Sequence, residues 1–336
     1  PRFLDVSLRG PVIENARPGD PVMATGVLVP FIYSRFGSSG VSSAIFHFNI
    51  NINYIEPLKK EAAAIILSKD EIKDIKEFAS KKNPFQQLIK SFAPSIHGLN
   101  AIKESLLLSL FGGQEKILPD GIRVRGDAHI LLVGDPGTAK SELLKYVASI
   151  APKGLFTVGR GTTAAGLTAA VIKDASGSFS LEAGALVLAD RGVCCIDEMD
   201  KMNDNDRVAI HEALEQQTVS IAKGGIVGTL NARATVIAAA NPSEGRYNAN
   251  KLASDNISLP VTLLSRFDLI HVIRDEPDFD RDQALVKHVL DLRSHKNIPI
   301  TLLENDFIKK YIVFSKSIQP VLTDESRNKI EEYYLK

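Results

Sequence analysis

The 336 residues hold 40 Lys and Arg against 40 Asp and Glu and are 44% hydrophobic, enough for a full core in two domains or in one large domain with an appendage. With a formal net charge of zero, nucleic-acid contacts have to come from local basic groups and not from the overall field. No run of about 18 apolar residues is present, which speaks against a membrane-spanning helix and a membrane partner, and the opening PRFLDVSLRG has neither a signal peptide's apolar stretch nor an initiator Met, so a further segment is expected before Pro1.

In chain order, residues 1–56 read as strands. The turn RPGD leads into PVMATGVLVPF, and SAIFHFNININYIE alternates strictly, placing Phe46, Phe48, Ile50, Ile52 and Tyr54 on one face and His47, Asn49, Asn51 and Asn53 on the other. This predicts a half-buried antiparallel hairpin closed by a long Gly/Ser-rich loop, IYSRFGSSGVS, that carries Tyr33, Arg35 and Phe36. From Pro57 the composition turns charged and helical, as a linker over 57–93 would be, with interruptions at Pro84 and Pro94. Residues 95–111 predict another helical stretch. Five short apolar runs follow, AHILLV, GLFTV, GVCCID, ATVIAAAN and DLIHVI, separated by helical segments. That alternation predicts an α/β fold with a five-stranded parallel sheet covered on both faces. The only cysteines, Cys194 and Cys195, are adjacent in the third run, so a disulfide or zinc site lacks partners and a reducing, intracellular home fits. The final stretch, DRDQALVKHVLDLR through TDESRNKIEEYYLK, is helical again.

The sharpest motif is GDPGTAKS, from Gly134 through Asp135, Pro136, Gly137, Thr138 and Ala139 to Lys140 and Ser141, followed by Glu142. A strand, a Gly-rich turn and a helix beginning at Lys140 would aim backbone N–H groups and the positive end of a helix dipole at a phosphate chain. Lys140 would reach the β- and γ-phosphates of a nucleotide, and the Ser141 hydroxyl would ligate Mg²⁺. Ala139 stands where G-x-x-x-x-G-K-[ST] has its second Gly, and its Cβ restricts φ. Further on, GVCCIDEMDK ends an apolar strand in Asp197 and Glu198. At the end of a neighbouring strand, Asp197 would hold the Mg²⁺ shell while Glu198 deprotonates the attacking water. Such pairs also occur as solvated strand caps, but both motifs at this spacing favour the chemistry. ATVIAAANP ends another strand in Asn241, suited to hold that water, although Asn-Pro is also an ordinary turn. In LLSRFDLIHVI, Arg266 either pairs with Asp268 or serves as an arginine finger for a neighbouring subunit.

GDPGTAKS, CIDEMDKM, AAANP and LLSRFD, with EALEQQTVSIAKGGI and RGTTAAGLTAAVIKD, resemble the minichromosome maintenance (MCM) replicative helicases of the AAA+ class, over most of residues 94–275. In that family Ala before the P-loop Lys is usual. The resemblance implies an AAA+ P-loop NTPase core over 94–275, the start of a helical lid over 276–336, and, in the strand-rich 1–56 with ARPGDPVMATGVL, the end of an oligonucleotide-binding (OB) domain. It implies a hexameric ring with composite ATP sites, in which Lys140, Ser141, Asp197, Glu198 and Asn241 act in cis and Arg266 comes from the adjacent protomer. APSIHG, with Ile96 and His97, lies where the family packs around adenine; His97 stands where Tyr is common. Arg207 either faces the interface or is a solvated residue on a helix with Ile210, Ala213 and Leu214 inward, and His211 reads as structural. Lys223, beside Gly224-Gly225 in TVSIAKGGIVGTL, matches a hairpin that touches DNA in the central channel. Lys173, in the insertion GLTAAVIKDASGSFSLEAGAL, and Arg35, in the first hairpin loop, resemble further channel elements.

The resemblance makes the expected activity ATP-driven translocation on, and unwinding of, single-stranded or forked DNA, alongside other replication-fork proteins. An archaeal source fits the compact segments, with action in the cytoplasm or nucleoid; a eukaryotic subunit would act in the nucleus. Two other readings are an AAA+ ATPase that remodels protein and a nucleotide-binding ring or loader component without catalysis. The OB-like start separates the first from the helicase, and the presence of Lys140, Asp197, Glu198 and Arg266 separates the second.

Overall fold

A computed structural model describes residues 4–8, 22–33, 45–57, 67–121, 123–160, 164–173, 179–223, 226–294 and 303–335. The chain packs as two units, Pro1–Ile66 and Leu67–Lys336. In the first, β1 (Asp5–Ser7) lies parallel to β3 (Ile45–Pro57), which pairs antiparallel with β2 (Val22–Tyr33) as the alternation predicts. The strict alternation does not run to the end of β3. Thr25 faces Tyr54 but Gly26 faces Ile52, so Asn53 is an extra residue in a bulge. A Cβ at Gly26 would collide with the Asn51 carbonyl, so the close approach needs this glycine. Beyond the bulge the faces exchange: Ile52 and Ile55 are buried, whereas Tyr54 is 56% exposed. The loop with Arg35 lies outside the described residues.

The second unit starts with α1 (Lys69–Ala79), α2 (Pro84–Ser91) and α3 (Asn100–Phe111). Pro84 does not break a helix but starts α2, in the first turn where its missing N–H is not needed. Phe78, Leu88, Ile89 and Phe92 are buried in the core of this unit, so the charged stretch is amphipathic and packed. The helix expected from residue 95 begins only at Asn100, because Gly98 (φ 71) and Leu99 (φ 55) are left-handed.

After the short pair β4 (Lys116–Ile117) and β5 (Arg123–Val124) come β6 (Ile130–Gly134), α4 (Lys140–Ile150), β7 (Gly154–Val158) and α5 (Ala164–Leu167). The hairpin β8 (Ala169–Lys173) and β9 (Phe179–Ala183) leads to α6 (Ala185–Leu188), β10 (Val193–Asp197) and α7 (Asp204–Gln216). A second hairpin, β11 (Thr218–Lys223) with β12 (Ile226–Asn231), precedes β13 (Thr235–Ala240), α8 (Ala253–Asn256), α9 (Val261–Leu264) and β14 (Leu269–Ile273). Three helices follow, α10 (Phe279–Ser294), α11 (Asn305–Lys316) and α12 (Asp324–Leu335).

The five apolar runs form one parallel sheet in the order β14-β6-β13-β10-β7. Alternate residues feed two cores: Leu131, Val133, Cys194, Ile196 and Val236 on one face, Ile130, Leu132, Val193, Cys195 and Ile237 on the other. The central strands β6, β10 and β13 are buried on both sides and so need apolar residues at every position. The sheet is not covered throughout as expected, however: the edge strand β14 exposes Leu269, Ile270 and Val272, and β7 is half-buried. The adjacent cysteines therefore point into opposite cores, and burial pushes the Cys194 thiol up to about 12.

His129, just before β6, ties three strand starts together. Its Nδ1 accepts the Val236 N–H at 3.0 Å, and its own N–H donates to the Asp268 carboxylate at 2.7 Å. Burial, with the Arg125 charge adding to it, lowers its pKa to about 3. The unfolded chain therefore takes up a proton near the ordinary value of about 6.5 that the folded chain refuses. Stability is accordingly complete above pH 6.5 and falls as the pH drops from there toward 3, with a limiting slope of about 1.4 kcal/mol per pH unit. Urea unfolding between pH 7.5 and 5 should show this slope, and His129→Asn, which retains an acceptor, should flatten it. An unchanged slope would assign the acid sensitivity elsewhere.

Candidate nucleotide site

The site is built at the C-terminal edge of the sheet. β6 ends at Gly134, where a Cβ would run into the backbone of Ile273 in β14. The turn that follows needs two left-handed residues, Gly137 (φ 84) and Ala139 (φ 61). Glycine takes this conformation without penalty; for alanine it costs on the order of 1–2 kcal/mol. The loop is thus held in shape by its surroundings. α4 then begins at Lys140 with no side-chain cap on its first N–H groups, which leaves the positive end of an eleven-residue helix free for an anion.

Lys140 is buried and folds back over the loop, its Nζ donating to the carbonyls of Gly134 at 2.7 Å and Asp135 at 2.8 Å. Burial pushes its pKa below the ordinary lysine value, against the pull of Asp197, Asp135 and Asp200. Thr138 Oγ1 also donates to the Asp135 carbonyl, at 2.8 Å. The Asp135 side chain points the other way, accepting the N–H of Tyr247 at 2.8 Å and of Asp275 at 2.9 Å. Burial alone would raise its pKa; those two N–H groups and the charges of Arg246 and Lys140 outweigh it and hold the carboxyl below its usual range.

Asp197 closes β10, but β10 is not the neighbour of β6. β13 lies between them. Two strand spacings of about 4.8 Å separate the phosphate loop from the acidic pair, room for a phosphate chain, and Asn241 at the end of β13 falls in the gap. Glu198 adopts a left-handed backbone (φ 52), its N–H donating to Asp197 Oδ1 at 2.9 Å, and its carboxylate pairs with Lys201 at 2.6 Å. Asp200, inside CIDEMDKM but given no role from the sequence, accepts the Asn241 N–H at 2.9 Å through its side chain and an Arg207 N–H at 2.9 Å through its carbonyl.

One half of the cleft, about 460 Å³, is lined by Lys140, Ser141, Asp197, Glu198 and Asn241. The other, about 910 Å³, is lined by Ile96, His97 and the acidic residues at and just before the start of α10. Pro136, Gly137, Thr138, Ala139 and Glu142 line both, so they form one continuous groove. Gly134 and Asp135 line neither half and support the loop from below. The His97 ring lies 5.2 Å from that of His288 in α10.

Arg266 is outside both halves. It does not pair with Asp268, whose carboxylate is taken by Arg125 at 2.8 Å and by the His129 N–H; its partner is Glu215, at 2.8 Å. His211 lies 3.6 Å from the same Glu215. Arg207 is not solvated either: its side chain is 18% exposed and reaches Asp204 and the Asp200 carbonyl, while Ile210, Ala213 and Leu214 are buried as expected. Lys223 faces Ile226 at the end of the β11–β12 hairpin and Lys173 faces Phe179 in β8–β9; Gly224-Gly225 and residues 174–178 lie outside the described residues.

Among the described residues no helix is long and apolar enough to cross a membrane. A family model described as the MCM P-loop domain matches residues 71–293. The chain is 48% identical over 339 residues to the minichromosome maintenance protein MCM of Saccharolobus solfataricus, an alignment covering 100% of this chain and 48% of that protein. It is 43% identical to the DNA replication licensing factor MCM7 of Arabidopsis thaliana, with 99% of this chain and 46% of the relative covered. The corresponding Xenopus tropicalis protein is also 43% identical, with 100% and 47% covered. The chain thus spans about half the length of the curated relatives it matches.

Proposed function

The chain belongs to the MCM family, and we propose that it is one subunit of a hexameric ring that hydrolyses Mg²⁺-ATP at subunit interfaces to translocate on and unwind DNA. The phosphate loop makes it a nucleotide-binding protein. The observation that carries the rest is the division of the catalytic set. Lys140, Ser141, Asp197, Glu198 and Asn241 share one groove, whereas Arg266 lies away from it on a pair with Glu215. A complete site then needs an arginine from a second copy.

Within the groove, the uncapped start of α4 and the loop backbone would hold the phosphates. Lys140 exchanges its loop carbonyls for the terminal phosphate oxygens, and Glu198 takes the proton of the attacking water that Asn241 orients. Ser141 and Asp197 would hold Mg²⁺, which keeps most of its own waters and so needs few protein oxygens; bound there, it neutralises charge on the phosphate oxygens. Replication at chromosomal DNA, in the nucleoid or nucleus, alongside other fork proteins, is the setting this implies.

Lys223 tests the DNA half of the reading. In the full chain, Lys223→Ala should lose forked-DNA unwinding while DNA-independent ATP hydrolysis persists, because a methyl group cannot hold a phosphate as the hairpin moves. Each lost contact to single-stranded DNA should lower the salt slope of binding by roughly 0.7, and several engaged hairpins by a multiple of that. Unwinding at the wild-type rate with an unaltered slope would move the channel contact to Arg35 or Lys173. Hydrolysis that single-stranded DNA fails to stimulate would favour a protein-remodelling ATPase instead.

A further inference from the structure

We propose that Lys103, in α3, is a positioning residue for base recognition: its ammonium locks the 93–96 turn into the shape that receives the adenine ring. The proposal rests on the reading of the groove as an ATP site and adds the group that sets its base-binding half.

The 93–99 segment that begins with this turn contains backbone conformations that side-chain-bearing residues rarely keep. Ala93 (φ 45) and Leu99 (φ 55) are left-handed, as is Gly98 (φ 71), and each of the first two costs on the order of 1–2 kcal/mol. The Ile96 N–H closes the turn onto the Ala93 carbonyl at 3.0 Å. Lys103 Nζ then donates to the Ala93 carbonyl at 3.1 Å and to the Ile96 carbonyl at 2.6 Å. One cation thereby holds both ends of a four-residue turn.

Packing does not account for this lysine. Lys103 is 5% exposed and shares a helix face with the fully buried Leu106, Leu107 and Leu110. A leucine or methionine would fill such a position without the cost of removing an ammonium from water, which charge-assisted hydrogen bonds must offset. What it supplies is rigidity at one place. Ser95, Ile96, His97, Gly98 and Leu99 line the base half of the groove, and none of them lines the phosphate half. A preformed turn spares the ordering that a mobile one would undergo when the base enters.

That separation gives the test. Titration calorimetry on the full chain would compare ATP, GTP and inorganic tripolyphosphate, each with Mg²⁺, in the wild type, Lys103→Met and Lys103→Gln. Lys103→Met should weaken ATP at least about tenfold, narrow the ATP-over-GTP preference and leave tripolyphosphate within about twofold. In steady-state hydrolysis the loss should fall on KM more than on kcat. Lys103→Gln, which keeps a donor for one carbonyl, should lie between; it also serves the same comparison if the methionine variant does not fold. ATP and tripolyphosphate weakening together, or ATP affinity unchanged, would make Lys103 a structural residue and overturn the proposal. Failure of the wild type to bind ATP while the fold is intact would instead overturn the nucleotide reading on which it rests.

Discussion

Lys140→Ala and Glu198→Gln should each reduce ATP turnover by about 10²–10⁴, the range for losing one preorganised charge or a general base, but they should fail differently. Lys140 is the buried cation of the loop, so alanine removes the charge proposed to meet the terminal phosphate. It also leaves the Gly134 carbonyl without its 2.7 Å donor, and an unpaired buried carbonyl costs about 1–3 kcal/mol. Nucleotide affinity and loop order should both fall. Glu198→Gln keeps the size and a hydrogen-bonding head but cannot accept the water's proton, so ATP should bind as well as in the wild type and remain uncleaved. Nucleotide titration beside single-turnover hydrolysis separates the two. Equal loss of affinity in both variants would contradict the assigned roles.

Arg266→Ala should cost about 10³–10⁵ in hydrolysis, the usual worth of an arginine finger, while leaving folding almost untouched. The stability side follows from its ion pair with Glu215: Arg266 and Glu215 are 38% and 40% exposed, and pairs screened by that much solvent contribute about 0–1 kcal/mol. A large kinetic loss with a small stability loss therefore points to a role outside the folded subunit. Mixing decides where. Subunits with Arg266→Ala and subunits with Lys140→Ala are each inactive alone, but a ring holding both contains interfaces with an intact phosphate loop facing an intact arginine. Hydrolysis should reappear in mixed rings and peak at intermediate ratios. If no ratio exceeds the separate variants, Arg266 does not act across an interface.

Much of this protein could be read without coordinates, and the reason is local. A phosphate loop is a short-range object, so GDPGTAKS specifies its strand end and a helix start at Lys140 within a single stretch, although the left-handed Ala139 is held by its surroundings. The apolar runs likewise declare the central strands β6, β10 and β13, buried on both faces, although β14 at the sheet edge has the same composition and leaves Leu269, Ile270 and Val272 exposed. Lys103 left a weaker trace: a lysine in register with Leu106, Leu107 and Leu110 is a charge at a core position, though nothing local names its partner. Strand order is another matter. Placing β13 between β6 and β10, and Asn241 between loop and acids, depends on pairings between runs distant in sequence, such as Ile237 with Ile130 and Thr235 with Val193, that no single run encodes. Side-chain partners are equally nonlocal: Arg266 is two residues from Asp268, yet Arg125 and His129, ahead of the neighbouring strand β6, claim that carboxylate and leave the arginine to Glu215. The bulge at Asn53 shows the same limit in a hairpin, where the close approach of Gly26 to the facing strand overrides a strict alternation. Sequence by itself determined which chemistry this chain carries, since motifs and apolar periods are written by neighbours along the backbone; tertiary structure alone decided which groups meet, since that is settled by competition among partners distant in sequence and adjacent in space.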